Sequence, residues 1–129
     1  MTPIRRRMQR ERFVEIVAQV LDDLPEQFRS RMQNVAVLVE DLPRQQRLRA
    51  GRPHGMRPRE LLLGLFVGTP RTQKSTFNLS TGPDRVILYQ MNIEAVCRDE
   101  AEIREQIRLT IIHEIGHYFG MDEEQLRDV

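Results

Sequence analysis

The chain has 129 residues and twenty basic against nineteen acidic side chains, for a formal charge of +1, with 40% hydrophobic and 30% charged residues. That balance suits one soluble globular domain spanning 1–129 and excludes a disordered tail, a collagen-like fibre and a membrane protein. Near-neutral charge, no Trp and 5% aromatic residues argue against a nucleic-acid surface, while a single cysteine, Cys97, excludes an internal disulfide and a zinc site of several thiolates.

The opening Arg5, Arg6, Arg7, Arg10 and Arg12 are basic, but no apolar run of signal-peptide length follows them. They read as a solvated arm, and with the lone thiol they lead us to expect a cytoplasmic protein. From Arg10 to Leu24 the residues Phe13, Ile16, Val17, Val20, Leu21 and Leu24 repeat at helical spacing, which predicts an amphipathic helix. Pro25 then suits the first turn of a short second helix running to about Arg31. Val35–Val39 is a β-branched apolar run, read as a strand covered on both faces. Residues 41–59 combine Pro43, Gly51, Pro53, Gly55 and Pro58 with many arginines and show no periodicity, which predicts a long surface loop.

Leu61–Val67, broken by Gly64, reads as a second strand, residues 68–83 as another loop, and Arg85–Met91 as a third strand. Asn92–Arg98 reads as a short helix. The last helix is the best marked. Asp99 can cap it with Glu102 three residues on, and acidic residues fill its first turn. Ile103, Ile107, Ile111, Ile115 and Tyr118 follow one face, and Leu109, Ile112, Gly116 and Phe119 another, so this helix belongs in the centre of the fold. Gly120 supplies its stop. The predicted architecture is α+β, with a mixed sheet of about three to four strands packed on that central helix.

The same helix carries His113-Glu114-Ile115-Gly116-His117. Histidines four apart project from one face and can close on one zinc, while Glu114 between them can take a proton from an activated water. This is the HExxH arrangement of metalloproteases. Outside the motif, Leu109–Met121 is uncharged, as a buried zinc helix requires. The chain can turn at Gly120, and Glu123 follows six positions after His117, which completes His-Glu-x-x-His-x-x-Gly-x-x-Glu. The expected metal ligands are therefore His113, His117 and Glu123, with Asp122 and Glu124 as neighbouring alternatives; His54 reads as an exposed loop residue. Zinc is the metal that this donor set favours. Two histidines and a glutamate on an apolar helix without a metal would need other partners to offset their desolvation.

On these residues the chain resembles the short bacterial zincin-like metallopeptidases. The likeness runs through the leading helix, the Val-rich strand, Arg85–Tyr89 and the acidic helix ending His113-Glu114-Ile115-Gly116-His117-Tyr118-Phe119-Gly120. It implies a zincin-like fold with a small sheet beside the active-site helix, His113 and His117 as ligands and Glu114 as general base. The family more often has Asp where this chain has Glu123. Within this sequence only residues 124–129 follow Glu123, so the Met-containing turn of larger metzincins is not expected. The pocket is then expected to be shallow and open, or completed by the 41–59 loop or by a second copy of the chain.

These features lead to an expected zinc-dependent peptidase acting on a peptide or extended protein segment, which pairs with either Arg85–Tyr89 or Leu61–Val67 as edge strand. Tyr118 and Tyr89 are the candidate oxyanion donors, although both also read as packing residues. The rival readings are a non-catalytic zinc-bearing interaction module and, using the arginine-rich segments, a nucleic-acid-associated protein. Neither a membrane nor a nucleic acid is an expected partner of the leading reading.

Overall fold

The structure is a computed structural model, and it describes residues 8–48, 61–68, 84–122, 124 and 126. In chain order the elements are α1 (Arg10–Asp22), α2 (Glu26–Arg29) with a 3-10 turn at Ser30–Met32, β1 (Val35–Glu40), α3 (Arg44–Leu48), β2 (Gly64–Val67), β3 (Asp84–Tyr89), α4 (Gln90–Ala95) and α5 (Glu100–Tyr118). The three strands form one mixed sheet in the order β1-β3-β2, β3 being parallel to β1 and antiparallel to β2. This is the α+β architecture that the sequence predicts. Among the described residues no helix is long and apolar enough to cross a membrane.

Helical periodicity and strand alternation meet in one core. Phe13, Ile16, Val17 and Val20 of α1, with Leu24 and Phe28, pack with Ile103, Ile107, Ile111, Ile112 and Ile115 of α5. Val86 and Leu88 supply the middle of the sheet's inner face, with Val35, Val37, Val39 and Phe66 partly buried around them. Seven isoleucine and phenylalanine side chains of that set, Phe13, Ile16, Phe28, Ile107, Ile111, Ile112 and Ile115, are fully buried and contribute about 2 kcal/mol each in transfer free energy; four of them stand on α5, more than on any other element.

Four expectations need correction. β1 is a sheet edge rather than a strand covered on both faces. Leu38 is 42% exposed on the sheet's outer face, in register with Ile87 and, beyond it, with Leu65. The predicted loop 41–59 begins with the helix α3, whose Gln46 is buried; residues 49–60, with His54, lie outside the described residues, as does most of the predicted loop 68–83. β2 is shorter than Leu61–Val67, and β3 gives way to α4 already at Gln90, whose side chain is fully buried.

A polar cluster holds the amino end of α1 to the sheet. Arg10 donates to the Val39 carbonyl at 2.8 Å and to Gln90 at 2.7 Å and pairs with Asp41, while Gln90 donates to the Met8 carbonyl. Each charge-assisted bond is worth about 1.5–3 kcal/mol when its loss leaves a buried partner unsatisfied.

Candidate metal centre and cleft

The amino end of α5 is built as its sequence predicts. Asp99 is the cap, in extended conformation, and accepts from the Glu102 backbone N–H at 2.9 Å. Glu102 does not return to the cap residue. It accepts instead from the Arg98 N–H at 2.8 Å and pairs with the Arg98 guanidinium. At the other end Gly120 has φ +78°, its N–H donates to the His117 carbonyl, and the Met121 N–H donates to the Gly116 carbonyl. That pair of bonds is a Schellman stop, and it turns the chain back so that Leu126 lies on Gly116. A Cβ on Gly116 would sit 2.3 Å from a Leu126 methyl, so any larger residue would force the Leu126 side chain to shift.

His113 and His117 fall on one face of α5 with ring centroids 6.0 Å apart. A metal bonded at about 2.1 Å to an imidazole nitrogen stands roughly 3.2 Å from the ring centroid, so two ligating rings lie at most ~6.4 Å apart. The observed separation lies below that limit but above the ~5.2 Å of a tetrahedral angle, so the two rings would have to turn inward slightly to share one zinc ion. His113 Nδ1 lies 2.8 Å from the Leu109 carbonyl one turn back. In a neutral imidazole, Nδ1–H donating to that oxygen leaves the lone pair on Nε2, the tautomer a metal ligand needs. His113 is half-buried and His117 exposed, so the motif stands at the rim of the core and not inside it as the uncharged sequence around it suggests. The two histidines fit a zinc ion in donor type and lie on one helix face, within a small side-chain rotation of a shared ligand position.

The third ligand is not placed. Glu123 lies outside the described residues. Asp122 is exposed and its carbonyl accepts from the Leu126 N–H; Glu124 is exposed in the same turn. Among the described residues no three His, Cys, Asp or Glu side chains come together as a metal-holding group.

Glu114 is held in a way the sequence does not announce. Its Oε1 accepts from the Phe66 backbone N–H of β2 at 2.9 Å. The Tyr89 N–H donates to the Leu63 carbonyl, so alternation along the ladder turns the polar backbone of Leu65 and Val67 towards β3 and leaves that of Gly64 and Phe66 facing away from it. Because β3 is paired on both sides, Arg85–Tyr89 cannot take an added strand; among the described strands β2 is the edge beside the motif. Gly64 permits this closeness, since a Cβ there would stand 2.5 Å from Thr110 Cγ2 on α5. An isolated glycine in an apolar strand run is the sequence signal of such an approach.

A cleft of about 290 Å³ opens at this junction, lined by Leu62, Leu63, Gly64, Gln106, Leu109, Thr110, His113 and Glu114. Apart from Glu114 and His113, no titratable side chain among the described residues lines it. Tyr118, one oxyanion candidate, stacks on Phe66 with centroids 4.0 Å apart, next to the strand that holds Glu114. Tyr89, the other, is 4% exposed on the central strand and belongs to the packing.

A family model described as zincin-like metallopeptidase matches residues 32–129, so the chain belongs to that family. Among solved structures, a chain described as a conserved hypothetical protein from Thermo thermophilus superposes with a TM-score of 0.54 at 24% identity, covering 86% of this chain and 94% of that one. This likeness is one of fold. No curated protein matches the chain.

Proposed function

We propose that the protein is a zinc-dependent metallopeptidase that cleaves extended peptide segments laid along the open edge of β2. The observation that carries this reading is the position of Glu114, between the two histidines in sequence, hydrogen-bonded to the edge strand and lining the cleft. His113, His117 and Glu123 would hold the zinc, which when bound supplies a polarised substrate carbonyl and a water of lowered pKa.

Glu114 accepts a proton of the water as its oxygen bonds to the carbonyl carbon, and then returns that proton to the amine nitrogen as the peptide C–N bond breaks, giving a carboxylic acid and an amine. One carboxylate oxygen stays on the Phe66 N–H, which fixes the group while the other oxygen handles the proton. The outward carbonyl and N–H of Gly64 are free of the β3 ladder and offer the main-chain bonds that align an extended chain. Leu62, Leu63 and Leu109 favour an aliphatic side chain in the cleft, since they supply apolar contact and no hydrogen-bonding side chain.

The test measures bound zinc by mass spectrometry and peptide-library cleavage for wild type, Glu114→Gln, Glu123→Ala and Asp122→Ala. The expected outcome is about one zinc per chain, weakened in Glu123→Ala but not in Asp122→Ala. Glu114→Gln keeps its zinc and loses about 10²–10⁴-fold in turnover. A zinc-loaded wild type that cleaves no peptide supports the non-catalytic interaction module instead; no zinc after reconstitution refutes both.

A further inference from the structure

We infer that Asn92, which lies on α4 and does not line the cleft, is the positioning residue that sets the cleft's side-chain selectivity; this rests on the peptidase reading of the site. Its side chain is fully buried. Asn92 Nδ2 donates to the Leu62 carbonyl at 3.0 Å and to Gln46 Oε1 at 2.8 Å, while Asn92 Oδ1 accepts from Gln46 Nε2 at 3.1 Å. One amide thus bolts α4 both to α3 and to the residue that opens the cleft wall.

The wall needs such a tie. Leu62 and Leu63 precede β2 and have no ladder of their own beyond the Tyr89 N–H to Leu63 carbonyl bond. Among the described residues the Leu62 carbonyl is held by a side chain, and that side chain is locked in turn by the reciprocal bonds to Gln46. Planar amides paired in this way have one low-energy orientation, so Leu62 is fixed relative to β3 and α4, the rigid middle of the fold. The opposite wall, Leu109 and Thr110, rides on α5. The width at the Leu62 end of the cleft is therefore set by Asn92, at a distance from the reacting groups, while Gly64 against Thr110 fixes the other end. Histidine and glutamate positions are independent of it, since they are fixed by α5 and by Phe66.

Two small zinc-binding probes that differ only in a side chain separate this role from general support. Leucine hydroxamate and glycine hydroxamate are titrated calorimetrically into zinc-loaded wild type, Asn92→Ala and Gln46→Ala, with zinc content and melting temperature measured alongside. Wild type is expected to prefer the leucine probe by about tenfold. Asn92→Ala is expected to lose about fivefold of that preference, with zinc content and glycine hydroxamate affinity unchanged; Gln46→Ala moves the same way by less.

Equal weakening of both probes, or an unchanged preference in a folded Asn92→Ala, overturns the inference. If Asn92→Ala does not fold, an unchanged preference in Gln46→Ala overturns it and a reduced one supports it. A wild type with no zinc, or with zinc but no preference, refutes the reading of the site itself and the inference with it, and is recognised because no variant is needed to see it.

Discussion

Replacing Gly64 by alanine perturbs the contact on which the site's geometry depends. The added methyl would lie 2.5 Å from Thr110 Cγ2 and 3.1 Å from the Ile87 carbonyl oxygen. Carbon atoms in contact stand about 3.5–4.0 Å apart, so β2 or α5 has to yield by about 1 Å. Neither moves easily: Thr110 is 8% exposed on the central helix, and β2 is tied to β3 by its ladder. Overpacking of this kind costs about 1–3 kcal/mol, which corresponds to a melting temperature lower by roughly 3–10 °C in a domain of this size. The partner substitution makes the argument specific. Thr110→Ser deletes the offending methyl and keeps the hydroxyl that accepts from Gln106. The double variant is expected to recover about 1 kcal/mol relative to the sum of the single changes. Denaturant unfolding of the four proteins of the cycle measures that coupling. A Gly64→Ala protein as stable as wild type, or strictly additive effects, would refute the close approach of β2 to α5.

The remaining expectations concern the ends and the surface of α5. Asp99→Ala removes the acceptor of the Glu102 N–H and should cost about 1 kcal/mol in urea unfolding. Gly120→Ala meets no neighbour within 4 Å, so its cost, about 1 kcal/mol, is wholly that of placing a side chain at φ +78°, and zinc affinity should weaken with it as the stop frays. Hydrogen bonds from Arg12, Arg98 and Arg108 lower the carboxyl pKa values of Glu100, Glu102 and Glu105 below the ordinary 4.5. A depressed folded pKa contributes stability that is present above 4.5 and lost as pH falls through the lower folded value. Thermal melting should accordingly show no change from these pairs between neutral pH and about 5.5 and a decline below about 4.5, smaller in high salt.

What was legible in the sequence is what local chemistry encodes. Asp99 with the acidic first turn, the isoleucines at 103, 107, 111 and 115 and the glycine stop define α5 without reference to any other part of the chain. The histidine spacing comes with the helix, and so does the 6.0 Å separation of the rings. Features that depend on distant partners were not legible. Val35–Val39 is as apolar as a central strand, yet β3 takes the centre, because strand order is decided by pairing across long connections. Gln46 and Asn92 are two ordinary amides in sequence, and nothing local marks them as a buried pair. The donor to Glu114 is a backbone N–H, which no residue type advertises.

That donor has a consequence for handling the protein. The segment 61–67 is Leu-Leu-Leu-Gly-Leu-Phe-Val, without a charge or a proline, and a strand edge of this composition that no other described strand covers is one that recruits other chains. The Glu114 carboxylate, resting on the Phe66 N–H, occupies one outward donor of that edge and sets a negative charge beside it. The group suited to the chemistry thus also acts as the gatekeeper of the sheet. Removing it altogether, as in Glu114→Ala, opens the edge to self-association, whereas glutamine retains an acceptor for the same N–H. Light scattering on stored samples of Glu114→Ala and Glu114→Gln is expected to separate the two, the alanine variant aggregating faster.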